Sequence, residues 1–267
     1  MPQVIEIDNP GDPRVDDFRD LTAADRRLDR PGGRGLVIAE GVVVVQRLLA
    51  SPFPVRALFG VARRVEALTA DLAGLDVPVF VASAEVMAEV VGFHLNRGVL
   101  AVADRAAQPD PAVLADRARV LAVLEGVGDH ENLGSIFRNA AALGVDGVLL
   151  GPGCADPLYR RSVRVSMGHV LRVPFATLPG WTADLKMLQD KGFHLLALTP
   201  RAGAVALREI EPAGRRFAVL LGSEGPGLTD EAIAAADQPV CIPMAEGVDS
   251  LNVATAAAVA FHALVAG

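Results

Sequence analysis

The sequence predicts an α/β protein with two domains, and three observations support this fold class. Short apolar runs alternate with amphipathic segments along the chain, as in layered α/β domains. A length of 267 residues is long for one domain and suits two modest ones. Residues 105–117 include Gln108-Pro109-Asp110-Pro111, lose apolar periodicity and indicate a linker that ends in a helical piece. We therefore expect domains at residues 1–104 and 118–267.

The first domain is predicted to be a small α/β layer that follows a charged helical segment at residues 13–29. Apolar runs predict its strands at residues 36–39, 55–61, 77–82 and 99–103. Amphipathic segments predict its helices at residues 40–49, 63–72 and 84–91.

The second domain repeats the same alternation over a longer stretch. Its strands are predicted at residues 120–124, 145–150, 170–173, 193–198, 217–221 and 239–242. Its helices are predicted from about residue 132 to 143, at 157–167, at 181–190, and in the Ala-rich run that reaches His262. Ser250 precedes that last run and has the side chain of a good N-cap.

Composition restricts the class of protein. The net charge of −7 argues against non-specific coating of nucleic acid but allows a local basic patch. Only two of the 25 basic residues are lysines; an Arg-rich chain suits phosphate binding or equally reflects a GC-rich genome. The absence of a membrane-spanning apolar run and of a signal pattern predicts a cytoplasmic protein with no membrane partner. The two cysteines and five histidines lack metal-ligand spacing, so we expect no metal.

Two groups of arginines are candidates for RNA contact. Arg26, Arg27 and Arg34 surround a Pro-Gly-Gly turn, where a phosphate-binding patch and a solvated helix end are equally good interpretations. Arg160 and Arg164 are four residues apart and share a helix face. A solvated face would explain this pair too, but we favour an RNA-facing stripe.

The sequence does not match the common motifs of nucleotide-binding proteins and hydrolases. After Gly126 and Gly128 the third position of a dinucleotide fingerprint holds Glu131, which disfavours an NAD enzyme. No Gly-Lys-Ser/Thr follows these glycines, and the chain has no Gly-x-Ser-x-Gly element.

The chain carries three further motifs, and their combination in one sequence is a specific signal. They are Asn132-Leu-Gly-Ser-Ile-Phe-Arg-Asn-Ala140, Leu221-Gly-Ser-Glu-Gly-Pro-Gly-Leu228, and Ile242-Pro-Met244 with Ser250-Leu-Asn-Val-Ala254. In this order and spacing they resemble the SpoU/TrmH family of RNA ribose 2′-O-methyltransferases. The N-terminal domain, with Ala39-Glu-Gly41 and Asn96-Arg-Gly-Val99, resembles the L30e-like RNA-binding domain often attached to that family.

The resemblance implies a SPOUT-type parallel sheet whose last 45 or so residues form a trefoil knot, and a homodimer that completes each site across its interface. It implies S-adenosylmethionine as the methyl donor and a ribose 2′-hydroxyl of RNA as the acceptor. The attached N-terminal domain favours rRNA as the target. A tRNA 2′-O-methyltransferase and a non-catalytic RNA-binding member of the family are the alternatives.

The resemblance also implies the catalytic residues Arg138, Asn132, Glu224, Ser250 and Asn252. From pattern alone, Arg138 would be a surface residue, Glu224 a loop carboxylate, and the Ser250–Asn252 pair a helix start. A guanidinium keeps its proton in proteins, so the role we assign to Arg138 is phosphate binding and stabilisation of charge on the attacking oxygen.

The implied donor site is a flat apolar slot with backbone groups at its edge. Its residues are Leu198 and Thr199, with backbone of Gly222, Ile242 and Leu251. We expect position 222 to be glycine because a side chain there would push the ligand away.

Overall fold

The computed structural model describes residues 3–21 and 35–265. The chain divides into two compact units, Met1–Ala107 with Leu158–Arg172, and Gln108–Pro157 with Val173–Gly267. The segment Leu158–Arg172, predicted to belong to the second domain, thus packs with the first unit. The helical end of the expected linker, α4 (Pro111–Arg117), belongs to the second unit.

The first unit contains a mixed sheet. Its described strands are β1 (Val4–Glu6), β2 (Val37–Glu40), β3 (Val55–Gly60), β4 (Val79–Val81) and β5 (Val99–Ala103), in the order β1-β4-β3-β5-β2. β3 and β4 are parallel, whereas β5 is antiparallel to both of its neighbours. The helices α1 (Val42–Leu49), α2 (Ala62–Glu66) and α3 (Ala84–Val91) alternate with the strands. β5 is buried along its whole length, as an interior strand should be.

The segment Leu158–Arg172 contains α6 (Arg160–Val165), which contacts β2. Arg160 Nη1 lies 3.4 Å from Glu40 Oε2, and its guanidinium lies 4.8 Å from the centre of the Phe93 ring. Arg47 Nη1 donates a hydrogen bond to the carbonyl of Met167. These contacts explain why the segment packs with the first unit.

The second unit contains a parallel sheet in which, among the described residues, every pairing is parallel. Its strands are β6 (Val120–Leu124), β7 (Gly147–Leu150), β8 (Phe175–Thr177), β9 (Phe193–Leu198), β10 (Val205–Ala206), β11 (Arg216–Leu221) and β12 (Gln238–Cys241). Their order is β10-β12-β9-β11-β6-β7-β8. β6 and nearly all of β11 are buried, which accounts for their continuous apolar sequences.

Helices cover the second sheet. They are α4, α5 (His130–Leu143), α7 (Trp181–Asp190), α8 (Asp230–Ala235) and α9 (Val253–Val265). One core cluster includes Leu121, Leu188 and Leu220. α5 and α9 pack against each other. The Ala-rich sequence of α9 allows this close approach, and Ala257 and Ala260 are fully buried.

Most predicted elements are present with bounds shifted by a residue or two. The predicted strand at 170–173 is wrong: Gly168 is in the left-handed region with φ 82° and starts a 3-10 turn, His169–Leu171. Pairing begins later, where the Val148 N–H donates to the Pro174 carbonyl. The helix predicted at 63–72 ends at Glu66, after which bonds such as Thr69 N to Glu66 O at 3.1 Å form tighter turns.

Among the described elements, β1, β10, α8 and a 3-10 helix at Leu207–Glu209 had no prediction. The helical segment expected at 13–29 begins as a 3-10 helix, Pro13–Phe18, and its residues 22–29 lie outside the described part of the chain. Within the described residues, no helix is long and apolar enough to cross a membrane.

Candidate active site

A cavity of about 450 Å³ opens at the carboxyl ends of three neighbouring parallel strands, β9, β11 and β12. β9 lies between the other two, so the loops that follow the three strands meet at one edge of the sheet. Ligands of open α/β sheets bind in a crevice outside the carboxyl ends of the strands. The volume of this cavity lies in the range of small-molecule sites, roughly 300–1,000 Å³.

The loop after β11 is a tight turn that forms one wall of the cavity. The Gly227 N–H donates to the Ser223 carbonyl at 3.1 Å, and Gly225 and Gly227 have φ values of 86° and 73°. A Cβ at Gly222 would lie 2.2 Å from the Gly227 carbonyl carbon and the Leu228 nitrogen. Gly222 is therefore required by the backbone of its own loop, a reason different from the ligand contact expected from the sequence.

A buried carboxylate fixes the far end of this turn. Glu125, only 7 % exposed, follows β6 and accepts hydrogen bonds from Thr229 N at 2.9 Å and Thr229 Oγ1 at 2.8 Å. Thr229 Oγ1 in turn accepts from Ala232 N at 3.1 Å and caps α8. The sequence alone did not identify this pair; the position of Glu125 directly after a buried strand could have suggested this carboxylate, but not its partner.

The chain between β12 and α9 contacts this wall through the side chain of Asn252. Its Nδ2 donates to Glu224 Oε1 at 2.7 Å and to Asn132 Oδ1 at 2.8 Å. Its Oδ1 accepts from the backbone nitrogens of Ala254 and Thr255, and so caps α9. Ser250 was expected to be this N-cap; Asn252 takes the role because it lies directly before the first helical residue.

α5 presents the first motif to the same region. Asp129 caps α5 by accepting from Glu131 N and Asn132 N at 2.8 and 2.9 Å. One face of the helix carries Asn132 and, two turns later, Asn139, whose Nδ2 donates to the Ala254 carbonyl at 2.8 Å. Two asparagines of this motif therefore contact the start of α9.

The structure gathers eight of the ten residues predicted for catalysis and donor binding around the cavity. Its lining includes Leu198, Thr199, Gly222, Ile242, Leu251, Glu224, Ser250 and Asn252. Asn132 does not line the cavity but is hydrogen-bonded to a residue that does. Arg138 does not line it either; it is exposed on α5, and its side chain makes no hydrogen bond or ion pair with the described residues.

The predicted RNA-contacting arginines fall into two groups. Arg26, Arg27 and Arg34 lie outside the described residues. Arg160 has an intramolecular partner in Glu40, and its place in an RNA-facing stripe stays a prediction. Burial lowers the pKa of its guanidinium, and the negative charge of Glu40 opposes that shift. Arg164 is partly exposed, and its side chain makes no hydrogen bond with described residues.

The cavity lining also includes Arg201, which the sequence analysis did not select. Arg201 belongs to the loop after β9 and forms an ion pair with Asp230, the first residue of α8. Its own N–H donates to Thr199 Oγ1 at 3.4 Å. Among the described residues, no group of histidines, cysteines and carboxylates is arranged to hold a metal ion.

A parallel sheet, a cavity at the carboxyl ends of its strands and polar side chains at the edge of that cavity define a small-ligand-binding α/β domain. Residues 119–262 match the SpoU rRNA Methylase family. An uncharacterised tRNA/rRNA methyltransferase of Mycobacterium tuberculosis is 59% identical over 261 residues, covering 97% of this chain and 91% of that protein. The chain belongs to the SpoU rRNA methylase family.

Solved structures share the whole fold. An AdoMet-bound rRNA methyltransferase from Sinorhizobium meliloti superposes with a TM-score of 0.82 at 27% identity, covering 98% of this chain and 97% of that one. The SpoU methyltransferase AviRb from Streptomyces viridochromogenes, in complex with AdoMet, has a TM-score of 0.77 at 23% identity over 96% of this chain and 97% of its own. Its similarity adds support for the fold alone.

Proposed function

We propose that this protein transfers a methyl group from S-adenosylmethionine to a ribose 2′-hydroxyl of RNA, with rRNA as the target. One observation carries the proposal: Asn252 joins Asn132 to Glu224 at the edge of the cavity. These three residues come from the three separate motifs on which the family resemblance rests. Their convergence on one cavity is what a shared active site requires.

The cavity fits the donor in size and chemistry. Leu198, Ile242 and Leu251 supply apolar surface for the adenine, and the turn at Gly222 presents backbone groups at the edge. Glu224 supplies a carboxylate, which suits a ligand with a sulfonium charge. When bound, the donor supplies a methyl group already activated by that charge. The related S. meliloti rRNA methyltransferase was solved with AdoMet bound, which supports the choice of ligand.

The residues at the edge of the cavity then have distinct roles. Asn252 orients Glu224, whose Oε2 accepts no hydrogen bond from the described residues and is available to the ribose hydroxyl. Ser250 lies on the same lining and can contact the ribose. Arg138 has a long reach and a planar fork that can bind the adjacent phosphate and stabilise negative charge on the attacking oxygen.

Because Arg138 does not line the cavity of its own chain, we propose that it serves the site of a second copy in a homodimer. Exposed apolar side chains in the chain before α9, Val248 at 49 % and Leu251 at 39 %, support a protein contact there. In a two-fold dimer the same contact occurs twice, so each copy would donate its Arg138 to the other.

The chain that follows β11 is proposed to form the trefoil knot. β12 lies beyond β9, yet the chain that follows it returns so that Asn252 reaches Glu224 and α9 packs on α5. Stretching the chain from both ends tests this, because a knot shortens the fully extended length below about 3.6 Å per residue. An extended length without that deficit would contradict the knot.

The reaction is tested by incubating the protein with methyl-labelled donor and unmethylated rRNA or tRNA. Alkaline hydrolysis of RNA uses the 2′-hydroxyl as nucleophile, so a 2′-O-methyl group leaves an alkali-resistant dinucleotide. We expect the label in such dinucleotides and predominantly from rRNA. Label released in single nucleotides would identify a base as the acceptor, and label only in tRNA would overturn the choice of target. Donor binding without transfer to either RNA would favour the non-catalytic alternative.

A further inference from the structure

Two charged side chains line the cavity among the described residues, Glu224 and Arg201. They lie on different loops, the first after β11 and the second after β9. Glu224 is already held by Asn252. Arg201 is the positively charged group that the cavity offers to a ligand, and none of the roles assigned above uses it.

The present partner of Arg201 is easily exchanged. The Arg201 and Asp230 side chains are 51% and 88% exposed, so water screens their attraction and the pair is weak. The backbone of the loop is better fixed, since Thr199 N donates to the Val240 carbonyl at 2.9 Å. Arg201 N also donates to Thr199 Oγ1 at 3.4 Å. The guanidinium can therefore leave Asp230 by side-chain rotation alone.

We propose that Arg201 exchanges Asp230 for the amino-acid carboxylate of the methyl donor. This inference rests on the function proposed above and deepens it. A planar guanidinium binds a carboxylate through two parallel hydrogen bonds, which is stronger and more directional than a contact with a neutral group. Glu224 complements the positive charge of the same ligand, so the two charged residues of the cavity match the two signs of charge on the donor. Asp230 holds Arg201 at the cavity until the ligand binds.

Calorimetry with two ligands tests the inference. One is S-adenosylmethionine and the other is its decarboxylated form, which keeps the sulfonium and the amine. Arg201→Gln should weaken binding of the full donor by about 10- to 100-fold, the scale of losing hydrogen bonds to a charged group. The same substitution should change the affinity for the decarboxylated ligand by less than about twofold, because that ligand has no carboxylate to lose. Arg201→Lys, which keeps the charge without the fork, should fall in between.

Asp230→Asn is the matched control, because it breaks the same ion pair from the other side. It should leave donor binding unchanged or slightly tighter, since Arg201 no longer needs to be released. Equal weakening of both ligands by Arg201→Gln, or equal losses for Arg201→Gln and Asp230→Asn, would mean that the ion pair merely shapes the loop and would overturn the proposal. Unchanged donor binding with weaker RNA binding would make Arg201 a phosphate contact instead. If the wild-type protein binds neither ligand, the proposed donor itself is wrong.

Discussion

Asn252 Nδ2 lies 2.7 Å from Glu224 Oε1 and donates a hydrogen bond to it, while the other hydrogen of the same amide is donated to Asn132. The amide oxygen accepts from two backbone N–H groups of α9. A flipped amide would turn its oxygen towards two acceptors, so only one orientation satisfies all four bonds. One side chain thus caps the last helix and holds two other motifs in place.

Two substitutions of Asn252 separate these tasks. Asn252→Asp keeps an oxygen that can cap α9 but replaces the donating nitrogen with a second oxygen facing Glu224. Asn252→Ala removes both functions and should destabilise the protein by about 1 kcal/mol through the lost cap. We expect Asn252→Asp to lose methyl transfer as severely as Asn252→Ala, and to melt closer to wild type than Asn252→Ala where the new pair of carboxyls shares a proton. Equal activity of the aspartate variant and wild type would show that the bridge to Glu224 is dispensable.

The Asn252→Asp variant should also gain a pH dependence, because it places a second carboxyl group beside Glu224. Two adjacent carboxylates raise the pKa of one of them, because the second negative charge is disfavoured. Below that raised pKa one carboxyl carries a proton and can donate to the other, which restores the bridge. Donor binding by this variant should therefore improve as pH falls from 8 to 5.5, measured against Asn252→Ala, which should show no such recovery.

Gly222→Ala tests the reason for the glycine. Because the added Cβ would lie 2.2 Å from backbone atoms of Gly227 and Leu228, the turn must move. We expect a loss of about 1–3 kcal/mol in the free energy of unfolding, as in overpacked cores, together with weaker donor binding. Gly128→Ala is the control, since its nearest contact is 3.8 Å away. A stable Gly222→Ala protein that has lost only donor binding would return the glycine to the ligand-contact role.

Thr229→Val tests whether Glu125 positions the cavity wall. The change removes the hydroxyl that donates to Glu125 and caps α8, while the Thr229 N–H bond to Glu125 can remain. We expect a loss of about 0.5–2 kcal/mol in the free energy of unfolding. The single tryptophan, Trp181, lies in this unit and packs against its core, so its fluorescence can follow the transition. Thr229→Ser keeps the hydroxyl and should restore most of the stability and the donor affinity; no rescue would contradict the positioning role.

The accuracy with which the sequence predicted each element and site residue depended on the kind of sequence signal. The buried strands β6 and β9 and the helix α7 were predicted with the bounds observed, because long apolar or periodic runs determine them. The prediction of a strand at 170–173 was wrong because a left-handed glycine starts a turn there. Apolar periodicity does not reveal such a turn. At the site, motifs identified Glu224 and Asn252, but only tertiary structure reveals Glu125 with Thr229 or Arg201 with Asp230. Those pairs join residues far apart in the chain and carry no local pattern.

Arg138 should affect the chemical step and not donor binding, because it is exposed and does not line the cavity. Arg138→Ala should fold and bind the donor as wild type does, while single-turnover methyl transfer falls roughly a hundredfold or more, the scale for one preorganised stabilising group. Arg138→Lys keeps the charge but loses the fork and should recover little of the rate. Loss of donor binding in Arg138→Ala would place Arg138 in the pocket, and an undiminished rate would remove it from catalysis.

Complementation between two inactive variants tests which copy of the homodimer supplies Arg138 to each site. If each site combines the cavity of one copy with Arg138 of the other, two inactive variants can complement each other. In a dimer of an Arg138→Ala chain with an Asn252→Asp chain, one site has both residues intact and the other has neither. Random pairing of equal amounts makes half of the dimers mixed, so activity should recover to roughly a quarter of wild type. Mixing must include unfolding and refolding together or co-expression, so that the copies exchange. If Arg138 serves its own chain, every site retains one defect and the mixture stays inactive. A monomeric mass by light scattering at micromolar concentration would exclude the shared site altogether.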